Sequence, residues 1–397
     1  MLKGKTVLVG VTGGIASYKM ANCVSMLLKL GADVHVIMTE NACHFINPIT
    51  FETLTGNKCM VDTFDRNFQF HVAHVSLAKK ADVFLISPAT ANVIGKLANG
   101  IADDMLTTTA LACRCTKIVA PAMNTAMYQN EIVQDNIRKL QHYNFKIIMP
   151  DSGYLACGDT GEGKMPSEDI LVEHVVHEIA YKKDMVGKRV IVSAGPTQEA
   201  IDPVRYITNH STGKMGYEIA KAASRRGAQV TLVSGNTSLK PPMFVETINI
   251  VSAKDMFEAF RDRFLDNDII IKAAAVADYK PKTIADNKIK KKDGDMFIEL
   301  DRTTDIIKYM GEHRREGQYI CGFSMETENM LENSRAKLKK KNIDMIVANN
   351  LKEKGAGFGT DTNVVTIITA EDEKQLELMS KEEVSNKILD EILEKMK

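Results

Sequence analysis

The chain has no excess charge of either sign, no long hydrophobic run and no signal-peptide pattern. Its 51 lysines and arginines balance 51 aspartates and glutamates, so no overall basic field attracts nucleic acid or a membrane surface. No apolar run reaches the length of a membrane span, and the first residues, "MLKGKTVLVG", begin a strand almost at once. We therefore expect a cytoplasmic protein that binds neither nucleic acid nor membranes.

Cysteine is also sparse, with seven scattered residues. An odd number at irregular positions disfavours a disulfide framework and indicates a reducing compartment. Cys113 and Cys115 lie two apart, but no Cys or His pair at zinc spacing follows them, which argues against a structural zinc site. With 397 residues, 44% of them hydrophobic, the chain is long enough for two domains with a core each.

The two halves repeat one plan of strand, glycine-containing turn, helix and strand. In the first half the strands are 4–10 and 31–39, and in the second they are 187–195 and a strand from Ala228, which follows the helix 216–227. Further apolar strands are expected at 81–90, 116–124, 145–150, 268–279, 319–327 and 343–350. This alternation predicts two α/β domains with doubly wound, mostly parallel, Rossmann-like sheets, divided between Asp184 and Gly187. Ligands bind such sheets at the carboxyl ends of their strands.

Known phosphate-binding motifs do not match this chain. The stretch "NHSTGKMG" (209–216) contains Gly-Lys, but a P-loop needs Gly where Thr208 stands and Ser or Thr where Met215 stands. "GVTGGIA" has its glycines at other spacings than a dinucleotide fingerprint, so a nicotinamide oxidoreductase is only weakly supported. The start of a helix still attracts anions, so 209–216 either holds a phosphate by another geometry or only begins a helix.

Four stretches of the first half resemble the homo-oligomeric flavin-containing cysteine decarboxylases. They are "AHVSL" (73–77), "PATANV" (88–93), "PAMNTAMY" (121–128) and the glycine-rich "ACGDTGEGKM" (156–165), which we expect to form a mobile flap. The resemblance implies a flavodoxin-like domain over 1–184 that binds FMN. The family often has Trp where this chain has Tyr128, and both are flat amphipathic rings.

The resemblance assigns roles to residues that also allow simpler interpretations. His74 would exchange a proton, the Asn124 amide would grip the substrate carboxylate, and Cys157 would donate a proton from the flap. Taken alone, His74 fits a core or surface position, Asn124 fits a turn cap, and Cys157 fits a small flap residue. The FMN contacts would be Gly13, Ser17, Thr39, Ser87, Ala89, Thr90, Asn92 and Met123, although Asn92 equally suits a helix N-cap.

The second half resembles the phosphopantothenate–cysteine ligases over 187–397. The resemblance is carried by the sequence at 194–216, "AAAVADY" (273–279), "KIKKK" (288–292) and "GFSMET" (322–327). It implies catalytic roles for Asn209 and Lys288. From the residues alone, Asn209 could cap a helix and 288–292 could be a solvated charge run. Nucleotide contacts would come from Ala273, Ala274, Ala275, Asp278, Lys288, Asp305, Ile306, Phe323, Lys337 and Lys341.

Together the halves resemble the bifunctional family of coenzyme A biosynthesis. The resemblance implies that CTP, with Mg²⁺, activates the carboxylate of 4′-phosphopantothenate, that cysteine attacks the acyl-nucleotide, and that the FMN domain decarboxylates the product. It also implies a homo-oligomer built from trimers of the flavin domain. The rival is a non-catalytic flavoprotein that binds partner proteins. The co-occurrence of His74, Asn124 and Cys157 with a full ligase half favours the enzyme.

Overall fold

The structure is a computed structural model that describes residues 1–64, 73–155, 158–291, 296–325, 330–349, 357 and 359–397. The chain divides into two compact units, which are Met1–Lys182 (unit 1) and Lys183–Lys397 (unit 2). In the described ranges, we find no helix with the length and apolarity that a bilayer crossing requires.

Unit 1 contains seven strands and eight helices in its described part. The strands are β1 Thr6–Val11, β2 Asp33–Met38, β3 Val83–Ala89, β4 Thr116–Pro121, β5 Lys146–Ile147, β6 Asp151–Tyr154 and β7 Thr160–Lys164. The helices are α1 Met20–Lys29, α2 Pro48–Thr55, α3 Ala73–Lys80, α4 Ala91–Asn99, α5 Met105–Ala112, α6 Thr125–Tyr128, α7 Glu131–His142 and α8 Glu168–Ile179.

Five of these strands form a parallel sheet in the order β2-β1-β3-β4-β5. Alternate residues of β1 enter different cores, because Val7 and Val9 pack on one face while Leu8 packs on the other. Helices cover both faces, as near-continuous apolar strands require. β6 and β7 form a separate antiparallel hairpin. The predicted doubly wound sheet is confirmed, and residues 160–164 of the expected flap belong to this hairpin.

Unit 2 contains fourteen strands and five helices in its described part. The strands are β8 Arg189–Ala194, β9 Gln198–Ala200, β10 Tyr206–Thr208, β11 Gln229–Ser234, β12 Glu246–Asn249, β13 Ile269–Lys272, β14 Tyr279–Pro281, β15 Leu300–Arg302, β16 Tyr319–Met325, β17 Met345–Asn349, β18 Thr362–Asn363, β19 Val365–Thr369, β20 Glu373–Gln375 and β21 Met379–Ser380. The helices are α9 Lys214–Arg225, α10 Ala253–Arg261, α11 Ile306–Glu312, α12 Met330–Lys341 and α13 Lys381–Lys395.

The main sheet of unit 2 has the order β12-β11-β8-β13-β16-β17-β19-β20. It is parallel through β17, and β19 and β20 extend it antiparallel. As in unit 1, Val190 and Val192 of β8 pack on one face and Ile191 packs on the other. The connection between β8 and α9 contains the antiparallel hairpin β9–β10. The antiparallel extension was not expected from the sequence.

Candidate functional site

The carboxyl ends of β1 and β3 carry the first candidate site. The strand order reverses between these neighbours, and such a switch point opens a crevice for a ligand. Thr12, after β1, bridges the two strands, because its Oγ1 donates to the Pro88 carbonyl at 2.6 Å and accepts from the Thr90 N–H at 3.1 Å. Ser17 Oγ in turn donates to the Thr12 carbonyl at 2.8 Å. These buried bonds fix the floor of the crevice.

A cavity of about 470 Å³ opens at this point, which is a size that holds a small-molecule cofactor. Much of its wall is apolar or glycine. It is lined by Gly13, Gly14, Ile15, Ala16, Tyr18, Lys19, Pro88, Thr90, Ala91, Ala122, Met123, Asn124, Met127, Tyr154, Leu155, Gly163, Lys164 and Met165. The structure therefore brings together four of the predicted residues: Gly13, Thr90, Met123 and Asn124.

The β6–β7 hairpin forms one wall of this cavity through a close backbone approach. The Met123 N–H donates to the Gly163 carbonyl at 3.0 Å. Gly163 has a φ of +124°, and a Cβ there would lie 2.3 Å from the Met123 carbonyl oxygen. Only glycine fits such a position without a shift. Cys157 lies outside the described residues.

The side chain of Asn124 is fixed by two hydrogen bonds. Its Oδ1 accepts from the Ala126 N–H at 2.9 Å and so caps α6, while its Nδ2 donates to Asp159 Oδ2 at 3.0 Å. The cap holds the side chain in one orientation at the cavity wall. The amide thus has a fixed direction that a substrate carboxylate could use in place of Asp159.

The other predicted flavin-site residues lie beside this cavity lining or apart from it. Ser17, Ser87 and Ala89 are buried, and Thr39 caps a 3-10 turn at 40–44. Asn92 is exposed, and the N-cap of α4 is Thr90, so the alternative role for Asn92 is wrong. His74 is the second residue of α3 and is half-buried.

Two buried hydroxyls near this cavity make no hydrogen bond to the described residues. They are Ser87 Oγ, at the end of β3, and Thr125 Oγ1, next to Asn124. A buried polar atom without a partner is uncommon in a folded protein and is satisfied when a ligand supplies the missing group. Together with the largely apolar cavity wall, these atoms fit a cofactor that has a flat ring and polar edges.

The second candidate site lies at the corresponding switch point of unit 2, between β8 and β13. Three hydrogen bonds join the loops that follow these strands. The Ala274 N–H donates to Ser193 Oγ at 3.1 Å, and the Ala275 N–H donates to the Gly195 carbonyl at 3.0 Å. Asn209 Nδ2 then donates to the Ala275 carbonyl at 3.1 Å. The predicted residues Asn209 and 273–275 are therefore held against each other.

The stretch 209–216 begins helix α9 and does not form a P-loop. Gly213 is the N-cap with φ +80°, and Gly216 lets the helix approach β8, since a Cβ there would lie 2.6 Å from Ala194 Cβ. Lys214 Nζ donates hydrogen bonds to Asp361 Oδ1 at 2.7 Å and to the Gly359 carbonyl at 3.0 Å. The lysine of this motif is thus already engaged by a loop far along the chain.

Two cavities of about 490 and 310 Å³ meet beside this loop, and Lys272, Val276 and Asp278 line both. The larger cavity includes 209–216, 273–276, Phe323, Asn349, Asn363 and Lys381. The smaller one includes Tyr279, Arg302, Thr303, Thr304, Asp305 and Ile306. Eight predicted residues therefore line one cavity or both: Asn209, Ala273, Ala274, Ala275, Asp278, Asp305, Ile306 and Phe323.

Charged groups are concentrated around the smaller cavity. Lys341 Nζ lies 3.0 Å from Asp305 Oδ2, and Asp305 also caps α11. Burial opposes ionisation of Asp305, but the Lys341 contact and the Lys308 N–H hold the pKa of this carboxyl below its usual value. Lys337 is half-buried on α12, one turn before Lys341, and is not among the residues that line either cavity.

Lys272 is a cavity residue that the sequence interpretation missed. It ends β13 and is half-buried. The pKa of Lys272 is lowered to about 8, chiefly by burial and also by the nearby Lys341, while Asp305 and Asp278 act in the opposite direction. The signal was present in the sequence, because "DIIIK" places a lysine directly after an apolar run, at the end of a parallel strand where ligands bind.

Lys381 was also missed. This buried residue begins α13, and its Nζ donates to the Gly357 carbonyl at 3.0 Å and the Thr360 carbonyl at 2.5 Å. Burial and the neighbouring Lys214 lower the pKa of Lys381. It therefore holds the loop at 357–361 against the larger cavity. No local sequence pattern pairs residue 381 with 357.

Lys288 is exposed and does not line either cavity, but the segment that carries it is anchored. The Ile289 N–H donates to Asp202 Oδ2 at 3.1 Å, and Arg205 donates both to that carboxylate and to the Ile289 carbonyl, the latter at 3.0 Å. The Arg205 contact and the backbone N–H donors hold the pKa of the buried Asp202 well below its usual range. Lys292 lies outside the described residues.

Among the described residues, no group of three or more His, Cys, Asp and Glu side chains is arranged to hold a metal ion. Mg²⁺ that serves nucleotide chemistry is usually bound through substrate phosphates and one or two carboxylates, so it does not need such a group. Asp278, which lines both cavities of unit 2, is a carboxylate in a suitable place.

Comparison with known proteins gives matches over both units. Residues 1–180 match the family model described as flavoprotein, and residues 185–396 match the DNA/pantothenate metabolism flavoprotein C-terminal domain. Three proteins named coenzyme A biosynthesis bifunctional protein CoaBC are similar along nearly their whole length. The Bacillus subtilis protein is 48% identical over 99% of this chain and 97% of its own. Those of Borreliella burgdorferi and Vibrio parahaemolyticus are each 43% identical, over 98% and 100% of this chain and 99% of their own.

Proposed function

The chain belongs to the family of coenzyme A biosynthesis bifunctional proteins, and on this premise we propose that its two units catalyse consecutive reactions. Residues 187–397 join 4′-phosphopantothenate to L-cysteine with CTP. Residues 1–184 decarboxylate 4′-phosphopantothenoylcysteine to 4′-phosphopantetheine with FMN. The observation that carries the proposal is that each unit has its own cavity at a sheet switch point, and that part of the predicted set lines each cavity.

In the ligase unit the loop at 273–275 and Asn209 form the binding edge. Attack of the phosphopantothenate carboxylate on the α-phosphate of CTP gives a mixed anhydride and releases pyrophosphate, and the cysteine amine then displaces CMP. Asn209 Nδ2 is held beside the Ala275 carbonyl, from where it can donate to the acyl-nucleotide during the second step. Asp305, Ile306, Phe323, Lys337 and Lys341 are assigned to nucleotide binding.

Lys288 is assigned to stabilise the negative charge that develops at the α-phosphate. Its segment is anchored at Ile289 by Asp202 and Arg205, so the lysine side chain extends from a fixed backbone position. Mg²⁺ is proposed to arrive with the triphosphate, with Asp278 as the adjacent carboxylate. The choice of CTP as the nucleotide rests on the family.

In the decarboxylase unit, Gly13, Thr90 and Met123 would contact FMN, and Ser87 Oγ offers a buried hydroxyl for its polar edge. Ser17, Thr39, Ala89 and Asn92 complete the proposed set. Bound FMN would supply the electron sink that loss of CO₂ requires, because it accepts electrons from the substrate and later returns them.

The polar residues of unit 1 then act on the substrate. The Asn124 amide, fixed by its cap on α6, would hold the carboxylate that leaves. His74 and Cys157 are proposed to exchange protons with the substrate. We further propose a cytoplasmic homo-oligomer built from trimers of the flavin unit.

One incubation tests the function. The purified protein is mixed with 4′-phosphopantothenate, cysteine, CTP and Mg²⁺, and pyrophosphate and CO₂ are measured together with the flavin absorbance of the protein. We expect both products in equal amounts from a yellow protein. Pyrophosphate without CO₂ would remove the decarboxylase assignment, and the absence of both would overturn the proposal.

A further inference from the structure

Lys272 occupies the point where the two cavities of unit 2 meet. It is the last residue of β13, where it pairs with Ser193 of β8 on one side and with Gly322 of β16 on the other. The residue lines both cavities, and its ammonium is close enough to Asp305, Asp278 and Lys341 to interact with their charges. A long side chain at this central position of the sheet is directed at the space where a ligand of either cavity would lie.

The charges around Lys272 leave its ammonium without a close partner. Asp305 is engaged by Lys341 at 3.0 Å, and among the described residues no carboxylate lies within ion-pair distance of Lys272. The charged groups that face it are Asp278 after β13, Asp305 before α11, Lys341 on α12 and Arg302 on β15, across the smaller cavity. Three cations thus surround the cavity against two carboxylates. An anionic ligand would correct this excess.

We propose that Lys272 binds a phosphoryl group of a ligase substrate and takes up a proton as that group enters. This inference rests on the proposed ligase function. Both the nucleotide and 4′-phosphopantothenate carry such a group, and the chemistry of the contact is the same for either. The free protein holds Lys272 partly neutral near pH 8, because its pKa is about 8. A phosphoryl oxygen beside the amine favours the ammonium and raises that pKa.

The test measures protons taken up during binding. The full-length protein is titrated calorimetrically at pH 8 with CTP alone and, separately, with 4′-phosphopantothenate alone, in buffers of different ionisation enthalpy. Both ligands are fully ionised at that pH, so protons must go to the protein. One ligand should show uptake of about half a proton at pH 8. At pH 6 the ligand phosphate is itself partly protonated, so the share due to Lys272 is the difference from Lys272→Arg, and it should be close to none because Lys272 is already charged.

Three variants assign the proton to Lys272. Lys272→Arg keeps a charge that does not titrate, so it should bind within a few-fold of the wild type but without uptake. Lys272→Met should lose uptake and bind the same ligand about ten- to a hundredfold more weakly. Lys254→Met, on the exposed face of α10, controls for loss of a lysine and should match the wild type.

The outcomes separate this inference from the proposed function. The ligand that shows uptake identifies the phosphoryl group. Uptake that persists in Lys272→Arg, wild-type binding by Lys272→Met, or no uptake with either ligand overturns the assignment of Lys272. If the wild type also fails to release pyrophosphate with all three substrates, the ligase function itself is wrong. If it does release pyrophosphate, only the role of Lys272 is lost.

Discussion

The cavity of unit 1 and the paired cavities of unit 2 occupy the same position in their sheets but differ in chemistry. Unit 1 offers Ile15, Tyr18, Met127 and Tyr154 together with glycines, and two buried hydroxyls nearby have no partner. Unit 2 offers lysines, aspartates and an arginine around a loop of small residues. The first set suits a flat, largely apolar ring and the second suits phosphoryl groups. The position of a site thus follows from the sheet, whereas its ligand follows from the side chains.

Asn209→Asp should have the largest effect on one activity while leaving the other unchanged. The Nδ2 donor that faces the Ala275 carbonyl would become a carboxylate oxygen, which repels both that carbonyl and an anionic intermediate. Ligation should fall about 100- to 1000-fold. Exchange of labelled pyrophosphate into CTP should survive, because the acyl-nucleotide still forms. Decarboxylation of supplied 4′-phosphopantothenoylcysteine should not change.

Asn249→Asp, on an exposed strand end, is the matched control and should leave both rates unchanged. An equal loss of decarboxylation in Asn209→Asp would contradict the division of labour between the units.

Gly163→Ala should produce the reverse pattern. A methyl group there meets the Met123 carbonyl oxygen at 2.3 Å in a backbone conformation with φ +124°, so the hairpin must move away from the cavity. A cost of about 2–3 kcal/mol, or roughly 30- to 150-fold in flavin affinity, is expected. The measurements are flavin absorbance after dialysis and pyrophosphate release, which should persist.

Gly4→Ala controls for the strain alone, since Gly4 has φ +79° and nothing lies within 4 Å of its added Cβ. Full flavin content in Gly163→Ala would show that the hairpin wall is not needed for binding.

Asp202→Asn tests whether the hydrogen bonds that anchor the Lys288 segment are needed for CTP binding. The amide cannot accept all the bonds from Arg205 and the Ile289 N–H, so the segment should detach and the KM for CTP should rise about tenfold. A carboxyl with a lowered folded pKa contributes above its unfolded pKa and loses that contribution only as pH falls through the folded value. The wild-type KM should therefore not vary through this group between pH 5 and 8.

Asp262 is exposed, so Asp262→Asn is the control for losing a carboxylate without losing these anchoring hydrogen bonds. An unchanged KM in Asp202→Asn would mean that the Lys288 segment acts without its anchor, or does not act on CTP.

On the stability of the protein, Lys272→Met should have a small and favourable effect. The pKa of Lys272 is about 8 in the folded state and about 10.4 when unfolded, so the unfolded chain binds more protons between these values. The burial cost is therefore fully present below pH 8 and fades as pH rises to 10. The variant should gain about 1 kcal/mol at pH 7, or roughly 2–4 °C in Tm, and nothing at pH 10. A lower Tm at pH 7 would contradict a half-buried ammonium that has no close carboxylate.

Strand and helix periodicity was sufficient to predict both parallel sheets, because their strands are short apolar runs buried on both faces. It also placed Asn124 at the end of a strand, but it continued the strand of 268–279 through 273–275, whereas β13 ends at Lys272. The strand β20 escaped notice because Glu373–Gln375 is an exposed edge strand that carries no apolar pattern. The strand β19 is a buried apolar run, and the sequence analysis did not single it out. The glycine-rich residues 160–164 were interpreted as part of a flap because glycine is typical of mobile segments. In the structure the glycine at 163 is needed for a different reason, since its close contact with the Met123 backbone leaves no room for a side chain.

Long-range polar contacts were beyond the reach of the sequence. Lys214 was considered for phosphate binding, yet its partner is Asp361, and Lys381 bonds to carbonyls at 357 and 360. Such pairings depend on which loops the folded sheet brings together and leave no periodic trace. The family resemblance named the residues of the site, but it could not show that Lys288 is exposed or that Lys272 lies between the cavities.

Because unit 2 needs helix α13 for its core, it can finish folding only later in synthesis than unit 1. The core of unit 1 uses residues only up to Ile179, so this unit can fold while the rest of the chain is still being translated. The core that supports α9 also includes Val384, Ile388 and Ile392 of α13, and Lys381 of the same helix lines the larger cavity. A nascent chain would therefore acquire its flavin pocket well before its nucleotide pocket, and a chain interrupted before residue 381 would carry the first without the second.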